Sequence, residues 1–299
     1  MFLADSHCLT LTTYPDDPFQ HFDAAWNIDR FYNAGGRIQA MAICTRENYS
    51  GDSALRYAVT NLGNYYRQMP RKASTMLKAA DYDDSKVNII LALEGASPII
   101  NNIENLHAFY HLGVRMISLT WNHRNYLADG IENRGGLTAF GREVVAEMEH
   151  LGIIIDVSHL NDDGFDDLAS IAGRPFLASH SNSRSVFDHP RNLCDEQILE
   201  IRRRGGFIGL NFCEDLLGNN HSPAINHFLH HVEHLLELGA VDIIGFGGDL
   251  DGVRPNILSN CEYYSDIRKS LERDMLLDNK VIEKIMFRNF HDFTMRTLP

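Results

Sequence analysis

The sequence predicts a single α/β domain over residues 1–299, folded as a closed (β/α)8 barrel of the TIM type. Short apolar, β-branched runs recur eight times and alternate with amphipathic segments, as eight strand–helix units require. The length fits one such barrel, and no Pro-, Gly- or Ser-rich linker divides the chain. A doubly wound open sheet is the alternative fold, but no GxGxxG follows an early strand.

The eight predicted strands are continuous apolar runs, which is the pattern of parallel strands buried on both faces. In chain order they are Phe2–His7, Arg37–Cys44, Val87–Glu94, Val114–Trp121, Ile153–His159, Pro175–His180, Phe207–Asn211 and Ile243–Asp249.

The segments between these strands have helical spacing. In GREVVAEMEHLG, the side chains of Val144, Val145, Met148 and Leu151 share one face, and Gly152 ends the predicted helix. A later segment, NHFLHHVEHLLELG, contains four histidines that superficially resemble a metal-binding group. Its apolar stripe consists of Phe228, Val232, Leu235 and Leu236, so we predict a solvated opposite face that carries His227, His230, His231 and His234.

Composition excludes several classes of protein. The net charge of −13 argues against nucleic acids and anionic membrane surfaces as partners. No apolar stretch reaches the roughly 18 residues of a membrane span. The start, MFLADSHC, has neither the basic nor the apolar region of a signal peptide, so we expect a cytoplasmic protein. The five cysteines are scattered without a CxxC, which fits a reducing compartment.

Polar side chains stand at the C-terminal ends of five predicted strands: His7, Glu94, His159, His180 and Asp249. In a parallel barrel these ends meet at one rim, where active sites are built. We therefore expect residues far apart in sequence to share one pocket.

Histidines and carboxylates are ligands that zinc accepts. Glu94 interrupts the buried run NIILALEG, and a carboxylate there needs a partner charge or a metal. His159 and His180 are separated by one βα unit, so we expect them to be neighbours. Asp249, in GFGGDLDG, is placed to take a proton from water and return it to a leaving group. Hydrogen-bonded structural histidines and an acidic turn are the alternative interpretations of these residues.

Three longer segments carry a resemblance to a known family: GLTAFGREVVAEMEHLGIIIDVSH, FLASHSNSRSVFDHPRNLCDEQI and IGFGGDLDG. They resemble the renal-type (membrane) dipeptidases, peptidase family M19 of the amidohydrolase superfamily. The resemblance runs from His7 to Asp251 in the family's order. It implies a zinc-dependent metallopeptidase that hydrolyses small dipeptides, L,D-dipeptides included, by attack of metal-activated water. A homodimer is a further implication.

The resemblance also implies roles for the metal-binding residues. Glu94 would bridge two zinc ions, with His7 a ligand of the first and His159 and His180 ligands of the second. Asp249 would be the catalytic proton shuttle.

By the same resemblance, Arg191 in DHPRN would bind the dipeptide's carboxylate or stabilise the oxyanion, a role suited to a permanently charged fork. Asp251 would be a neighbouring substrate-binding residue. Many members have a substrate-binding histidine where this chain has Trp121. His123 is the candidate replacement, and the alternative is that Trp121 itself walls the pocket.

One departure from the family's pattern concerns the first zinc. The family has H-x-D in the first strand, and this chain reads His7-Cys8-Leu9. Leucine cannot bind a metal, and strand alternation points Cys8 away from His7. We therefore expect one or two zinc ions. The alternatives to a dipeptidase are a degenerate member that binds or regulates through a partial metal site, and a hydrolase of another small carboxylate substrate.

Overall fold

The computed structural model describes residues 1–46, 48–218 and 224–299. Within these residues, nine parallel strands form one sheet. The strands are β1 (Leu3–Cys8), β2 (Gly36–Cys44), β3 (Ala73–Thr75), β4 (Val87–Glu94), β5 (Val114–Ser118), β6 (Ile154–Asp156), β7 (Leu177–Ala178), β8 (Phe207–Leu210) and β9 (Ile244–Phe246).

Eight of the strands close into a barrel in the order β2-β1-β9-β8-β7-β6-β5-β4, because β4 returns to pair with β2. That closing ladder runs from the pair Ile38–Asn88 to the pair Cys44–Glu94. The predicted (β/α)8 barrel and its eight strands are therefore confirmed. The ninth strand, β3, was not predicted, and it pairs with the first half of β4 while β5 pairs with the second half.

The helices are α1 (Thr10–Thr13), α2 (Ile28–Asn33), α3 (Gly51–Gln68), α4 (Ile103–His111), α5 (Ala139–Leu151), α6 (Asp162–Ile171), α7 (Asp195–Arg203), α8 (Ala224–Glu237), α9 (Tyr264–Arg273), α10 (Asn279–Glu283) and α11 (Asn289–Thr297). Helices α1 to α8 lie between strands in the chain, and α9 to α11 follow the last strand. The helix predicted in GREVVAEMEHLG is α5, and it ends as expected at Gly152, whose φ of 74° is left-handed.

The barrel interior is filled by small and aliphatic side chains, and its lower mouth is closed by the C-terminal segment. Phe287, Phe290 and Phe293 belong to the same buried cluster as the inward-facing residues near the starts of the strands. The Phe207 and Phe290 rings lie 4.8 Å apart between centroids. Backbone contacts also fix this segment, since the N–H of Ala79 donates to the carbonyl of Pro299 at 3.0 Å.

The histidine-rich segment forms α8, and one of its four histidines is not on a solvated face. His231 is fully buried: its Nδ1 accepts from the N–H of Ser183 at 3.1 Å, and its Nε2 lies 3.0 Å from the carbonyl of Leu217. The prediction was wrong for this residue because it lies three residues after Phe228 and four before Leu235, on the apolar stripe itself.

Two further observations bear on the chemistry available to the chain. All five cysteines are free thiols. No helix within the described ranges combines the length and the hydrophobicity that crossing a membrane would require.

Candidate metal centre

The barrel brings the five predicted strand-end residues together at its C-terminal rim. His7 lies near the end of β1 and Glu94 ends β4, while His159, His180 and Asp249 follow β6, β7 and β9. All five side chains are buried. His159 and Asp249 have positive φ values of 70° and 51°, which non-glycine residues seldom adopt. Such backbone strain is typical of residues held in place for a function.

Glu94 lies at the centre of the group. Its Oε1 is 2.8 Å from Nε2 of His159, 3.2 Å from Nε2 of His180 and 3.8 Å from Nε2 of His7. Ligand atoms of His7, Glu94 and His180 all lie within 4.8 Å of one another. Over residues 1–46, 48–218 and 224–299, this is the one group of histidine, cysteine and acidic side chains close enough to hold a metal ion.

Three polar atoms of this buried group lack a hydrogen-bond partner in the described part of the chain. They are Nε2 of His7, Oε2 of Glu94 and Oδ1 of Asp249. Buried polar atoms are nearly always paired, and each unpaired one costs about 1–3 kcal/mol. His7 Nε2 and Asp249 Oδ1 lie 3.8 Å apart, too far for a hydrogen bond. A cation bound at this group would give such atoms a partner, so the side chains fit a metal ion.

The pKa values of the three histidines favour metal binding. Burial lowers the pKa of His7 to about 3, that of His159 to about 4 and that of His180 to about 3. Positive charge on Arg191 and on the neighbouring histidines adds to this effect. The three rings are therefore neutral at pH 7, as imidazole ligands must be.

The pKa values of the two carboxyl groups, Glu94 and Asp249, are shifted in opposite directions. Burial raises the pKa of Glu94, but His7, His159 and His180 outweigh it and hold that pKa well below its usual range. Burial and the negative charge of Glu94 raise the pKa of Asp249 well above its usual range. One carboxylate is thus a permanent anion, while the other is a proton carrier, a separation typical of catalytic pairs.

Polar side chains behind the histidines determine which ring nitrogen faces the centre. Asn122 Oδ1 accepts from Nδ1 of His159 at 2.7 Å. Ser179 Oγ donates to Asp156 at 2.6 Å and so accepts from Nδ1 of His180 at 2.7 Å. With Nδ1 bonded in this way, each ring directs Nε2 toward the centre, and Nε2 is the atom that a metal ion would bind in place of its present contact with Glu94. Asn122, Ser179 and Asp156 were not predicted from the sequence, although Ser179 directly precedes His180.

Arg191 lies beside the centre and is itself buried. Its Nη2 donates to the carbonyl of His180 at 3.3 Å. Burial lowers the pKa of the guanidinium, and the charges of Glu94 and Asp249 oppose that shift. A buried cation next to the group is therefore placed to bind an anionic substrate group.

Trp121 stands between His123 and the centre. The Trp121 ring lies 6.1 Å from the His159 ring and 6.2 Å from the His123 ring, measured between centroids. His123 is 42% exposed, and its Nδ1 lies 3.3 Å from a carboxylate oxygen of Glu132. His123 thus lies at the outer rim, and the Trp121 ring lies between it and His159.

The carboxylate of Asp251 accepts hydrogen bonds from other residues of the protein. It accepts from the N–H of Ala25 at 2.6 Å, the N–H of Trp26 at 3.1 Å and the hydroxyl of Thr10 at 2.6 Å. These bonds tie the segment before α2 to the loop after β9. Asp251 therefore acts as a structural anchor of the rim.

The two residues after His7 do not join the group. Leu9 is 4% exposed and packs in the apolar cluster inside the barrel. Cys8 is buried in the other apolar cluster, between the barrel and its helices, as strand alternation predicted. The family's second ligand in the first strand therefore has no counterpart from Cys8 or Leu9.

Comparison with known proteins agrees with this geometry. The family model described as "Membrane dipeptidase (Peptidase family M19)" matches residues 1–295. An uncharacterized protein in the pqqA 5′ region of Klebsiella pneumoniae is 32% identical over 231 residues, covering 72% of this chain and 85% of that protein. An uncharacterized dipeptidase of Schizosaccharomyces pombe is 31% identical over 223 residues, covering 71% of this chain but 53% of the yeast protein.

Solved structures match over the full chain. The dipeptidase AC of family M19 superposes with a TM-score of 0.92 at 26% identity, covering 100% of this chain and 99% of its own. A metallopeptidase from Rhodobacter sphaeroides, liganded with a phosphinate mimic of L-Ala-D-Ala, has a TM-score of 0.91 at 25% identity and 99% coverage of both chains. The chain belongs to the membrane dipeptidase family, peptidase family M19, and is a metallo-dipeptidase.

Proposed function

We propose that this dipeptidase uses zinc and that its substrates include L,D-dipeptides. The observation that carries the zinc assignment is the convergence of His7, Glu94 and His180 within 4.8 Å, with unpaired nitrogen and oxygen atoms facing inward. Neutral imidazoles and one carboxylate form a donor set that zinc prefers.

We further propose one tightly bound ion per chain, with His7, Glu94 and His180 as its nearest ligands and with His159, whose Nε2 lies 2.8 Å from Glu94 Oε1, completing the group. A second ion would need another anionic ligand beside His7, and Leu9 occupies that place in the sequence. Zinc bound to this group would supply a Lewis acid for the peptide carbonyl and a water molecule of lowered pKa.

The chain's own residues would do the remaining chemistry. Asp249, with its raised pKa, takes a proton from the attacking water and returns it to the amine that leaves. The buried guanidinium of Arg191 binds the carboxylate of the C-terminal residue and so fixes the peptide bond over the centre. Trp121 excludes water on the side of His159.

The preference for L,D-dipeptides is supported by the ligand of a structural relative. The Rhodobacter sphaeroides metallopeptidase was solved with a mimic of L-Ala-D-Ala. The L,D class is therefore the first to test against its L,L counterparts.

The experiment is a measurement of amine release from matched L,L- and L,D-dipeptides after incubation with zinc or with chelator. We expect zinc-dependent turnover that favours the L,D peptides. His180→Ala should lower turnover to background and reduce bound zinc, with the circular-dichroism spectrum unchanged. Full turnover by His180→Ala, or equal turnover in chelator, would contradict the metal assignment. Absence of turnover by folded, zinc-loaded protein would instead favour a binding role.

A further inference from the structure

A cavity of about 580 Å³ opens at the C-terminal face of the barrel, among the loops that follow β1, β2 and β9. This volume lies within the roughly 300–1,000 Å³ of known ligand pockets. Its lining includes Cys44, Arg46, Tyr49, Tyr57, Gly252 and Arg254.

The cavity adjoins the metal centre at two points. Cys44 is the register partner of Glu94 in the ladder between β2 and β4. On the other side, a Cβ added at Gly252 would come within 2.1 Å of Oδ1 of Asp249. A group bound in the cavity would therefore lie next to the reacting part of a substrate held at the centre.

Positive charge exceeds negative charge on the described lining. Arg46 and Arg254 have exposed side chains, and neither forms an ion pair with a residue in the described ranges. Asp251 is the one described acid that lines the cavity, and its carboxylate oxygens already accept from Ala25, Trp26 and Thr10. Among the described residues, therefore, no acid is paired with either guanidinium group.

An aromatic wall completes the cavity. The rings of Tyr49 and Tyr57 are stacked with centroids 4.2 Å apart, and the Tyr57 hydroxyl donates to the carbonyl of Thr12 at 3.3 Å. Stacked rings contact the methylene groups of a side chain, while arginines bind a carboxylate through paired N–H donors. The chemistry suits a short side chain that ends in a carboxylate.

The position of the cavity relative to Arg191 decides which substrate residue it receives. In the closed strand order, β7 stands opposite β2, with the metal centre between them. Arg191 lies in the segment after β7, whereas Arg46 follows β2. A dipeptide whose C-terminal carboxylate binds Arg191 therefore extends its N-terminal residue across the centre toward the cavity.

We propose that this cavity binds the acidic side chain of the dipeptide's N-terminal residue, aspartate or glutamate, through Arg46 and Arg254. The inference rests on the proposed function, because it assumes that a dipeptide spans the centre with Arg191 on its carboxylate.

The test compares L-Glu-D-Ala with L-Gln-D-Ala, which differ in charge but hardly in shape. We expect kcat/KM to be about tenfold higher for L-Glu-D-Ala, mainly through a lower KM, as a charge-assisted contact worth one factor of ten predicts. In the double variant Arg46→Gln, Arg254→Gln the ratio of the two kcat/KM values should fall to about one. The control Arg71→Gln, an exposed arginine just before β3, should keep the wild-type ratio.

Charge reversal adds a gain of function. Arg254→Glu should raise kcat/KM for L-Lys-D-Ala relative to L-Glu-D-Ala. Equal kcat/KM for L-Glu-D-Ala and L-Gln-D-Ala in the wild type would overturn the inference while leaving dipeptide hydrolysis intact.

A binding measurement separates the inference from the proposed function. Calorimetric titration of zinc-loaded Asp249→Asn protein should show about tenfold tighter binding of L-Glu-D-Ala than of L-Gln-D-Ala. That difference without turnover by the wild type would support the cavity and contradict hydrolysis. Equal affinities would overturn the cavity assignment.

Discussion

Two of the histidines proposed as metal ligands are oriented by side chains that lie behind the candidate centre. Asn122 accepts from Nδ1 of His159, and the Ser179–Asp156 pair does the same for His180. Each contact holds the ring so that Nε2 faces Glu94. Such supporting bonds raise ligand basicity as well as fixing orientation.

We expect Asn122→Ala to weaken zinc binding by about 10- to 100-fold, because the His159 ring loses its anchor. Competition with a chromophoric chelator measures this affinity. The matched control is Asn125→Ala, since the Asn125 side chain bonds only backbone groups of its own loop, at Leu119, Leu127 and Ala128. Equal affinities of the Asn122→Ala variant and the wild type would show that Asn122 does not orient the ligand.

Leu9 tests whether a single substitution restores a second metal. We expect Leu9→Asp to raise bound zinc from about one toward two ions per chain, because a carboxylate would join His7 at the first-strand position of the family pattern. Elemental analysis after dialysis gives the count. Leu9→Asn is the neutral control and should stay near one. An unchanged zinc content in both variants would mean that Leu9 does not occupy the ligand position.

Among the secondary-structure elements, the strands that are buried on both faces could be predicted from the sequence. β2 and β4 are continuous apolar runs because one face packs inside the barrel and the other against helices. β3 escaped prediction because it has three residues, of which Ala73 alone is buried, and its pairing depends on a neighbour's free edge. The hydrophobic periodicity of a sequence does not indicate whether a neighbouring strand has a free edge.

Helix α8 carries a buried histidine beside an exposed one, which makes a matched pair. We expect His231→Leu to lower the free energy of unfolding by about 1–3 kcal/mol, because the Ser183 N–H and the Leu217 carbonyl would lose their partner. The exposed neighbour His230 should tolerate the same change within about 0.5 kcal/mol. Urea denaturation of both variants checks the difference. Similar losses in the two would assign no structural role to the His231 ring.

For the molecule as a whole, the buried histidines couple folding to pH. Histidine has a pKa near 6.5 in an unfolded chain, whereas His7 and His180 have a pKa of about 3 and His159 of about 4 in the fold. Between these values the unfolded chain binds more protons. Stability is therefore complete above pH 6.5 and is lost as pH falls toward 4.

Metal-free protein should thus lose up to about 1.4 kcal/mol per pH unit for each of these histidines below pH 6.5. The raised pKa of Asp249 opposes part of this loss, because the folded state retains that proton. Urea titrations in chelator at several pH values measure the slope, and His159→Gln should reduce it by about one proton. Stability that is constant down to pH 4 would contradict neutral buried histidines.

The convergence of the strand-end residues could be predicted because each is a polar residue that ends an apolar run, as His7 and Glu94 illustrate. The hydrogen bonds that hold these residues in place could not be predicted, since they depend on which side chains of neighbouring segments come into contact. Asp251 shows the same limit: its sequence position placed it beside the cavity, but the hydrogen bonds that its carboxylate accepts from Ala25 and Trp26 could not be predicted. The position of a residue along a strand can be predicted from the hydrophobic pattern, but its hydrogen-bond partners depend on how the strands and loops pack.

The C-terminal segment that closes the lower mouth of the barrel has a consequence for synthesis on the ribosome. Residues 285–299 supply Phe287, Phe290 and Phe293, which close the lower mouth around side chains encoded early in the chain. The chain emerges from the ribosome at about 5–20 residues per second. Until residues 285–299 have been made, the apolar interior at the lower mouth of the barrel stays exposed to water. Residues 285–299 therefore complete a core on the opposite face of the barrel from the metal centre, and the barrel cannot finish folding before these residues have emerged.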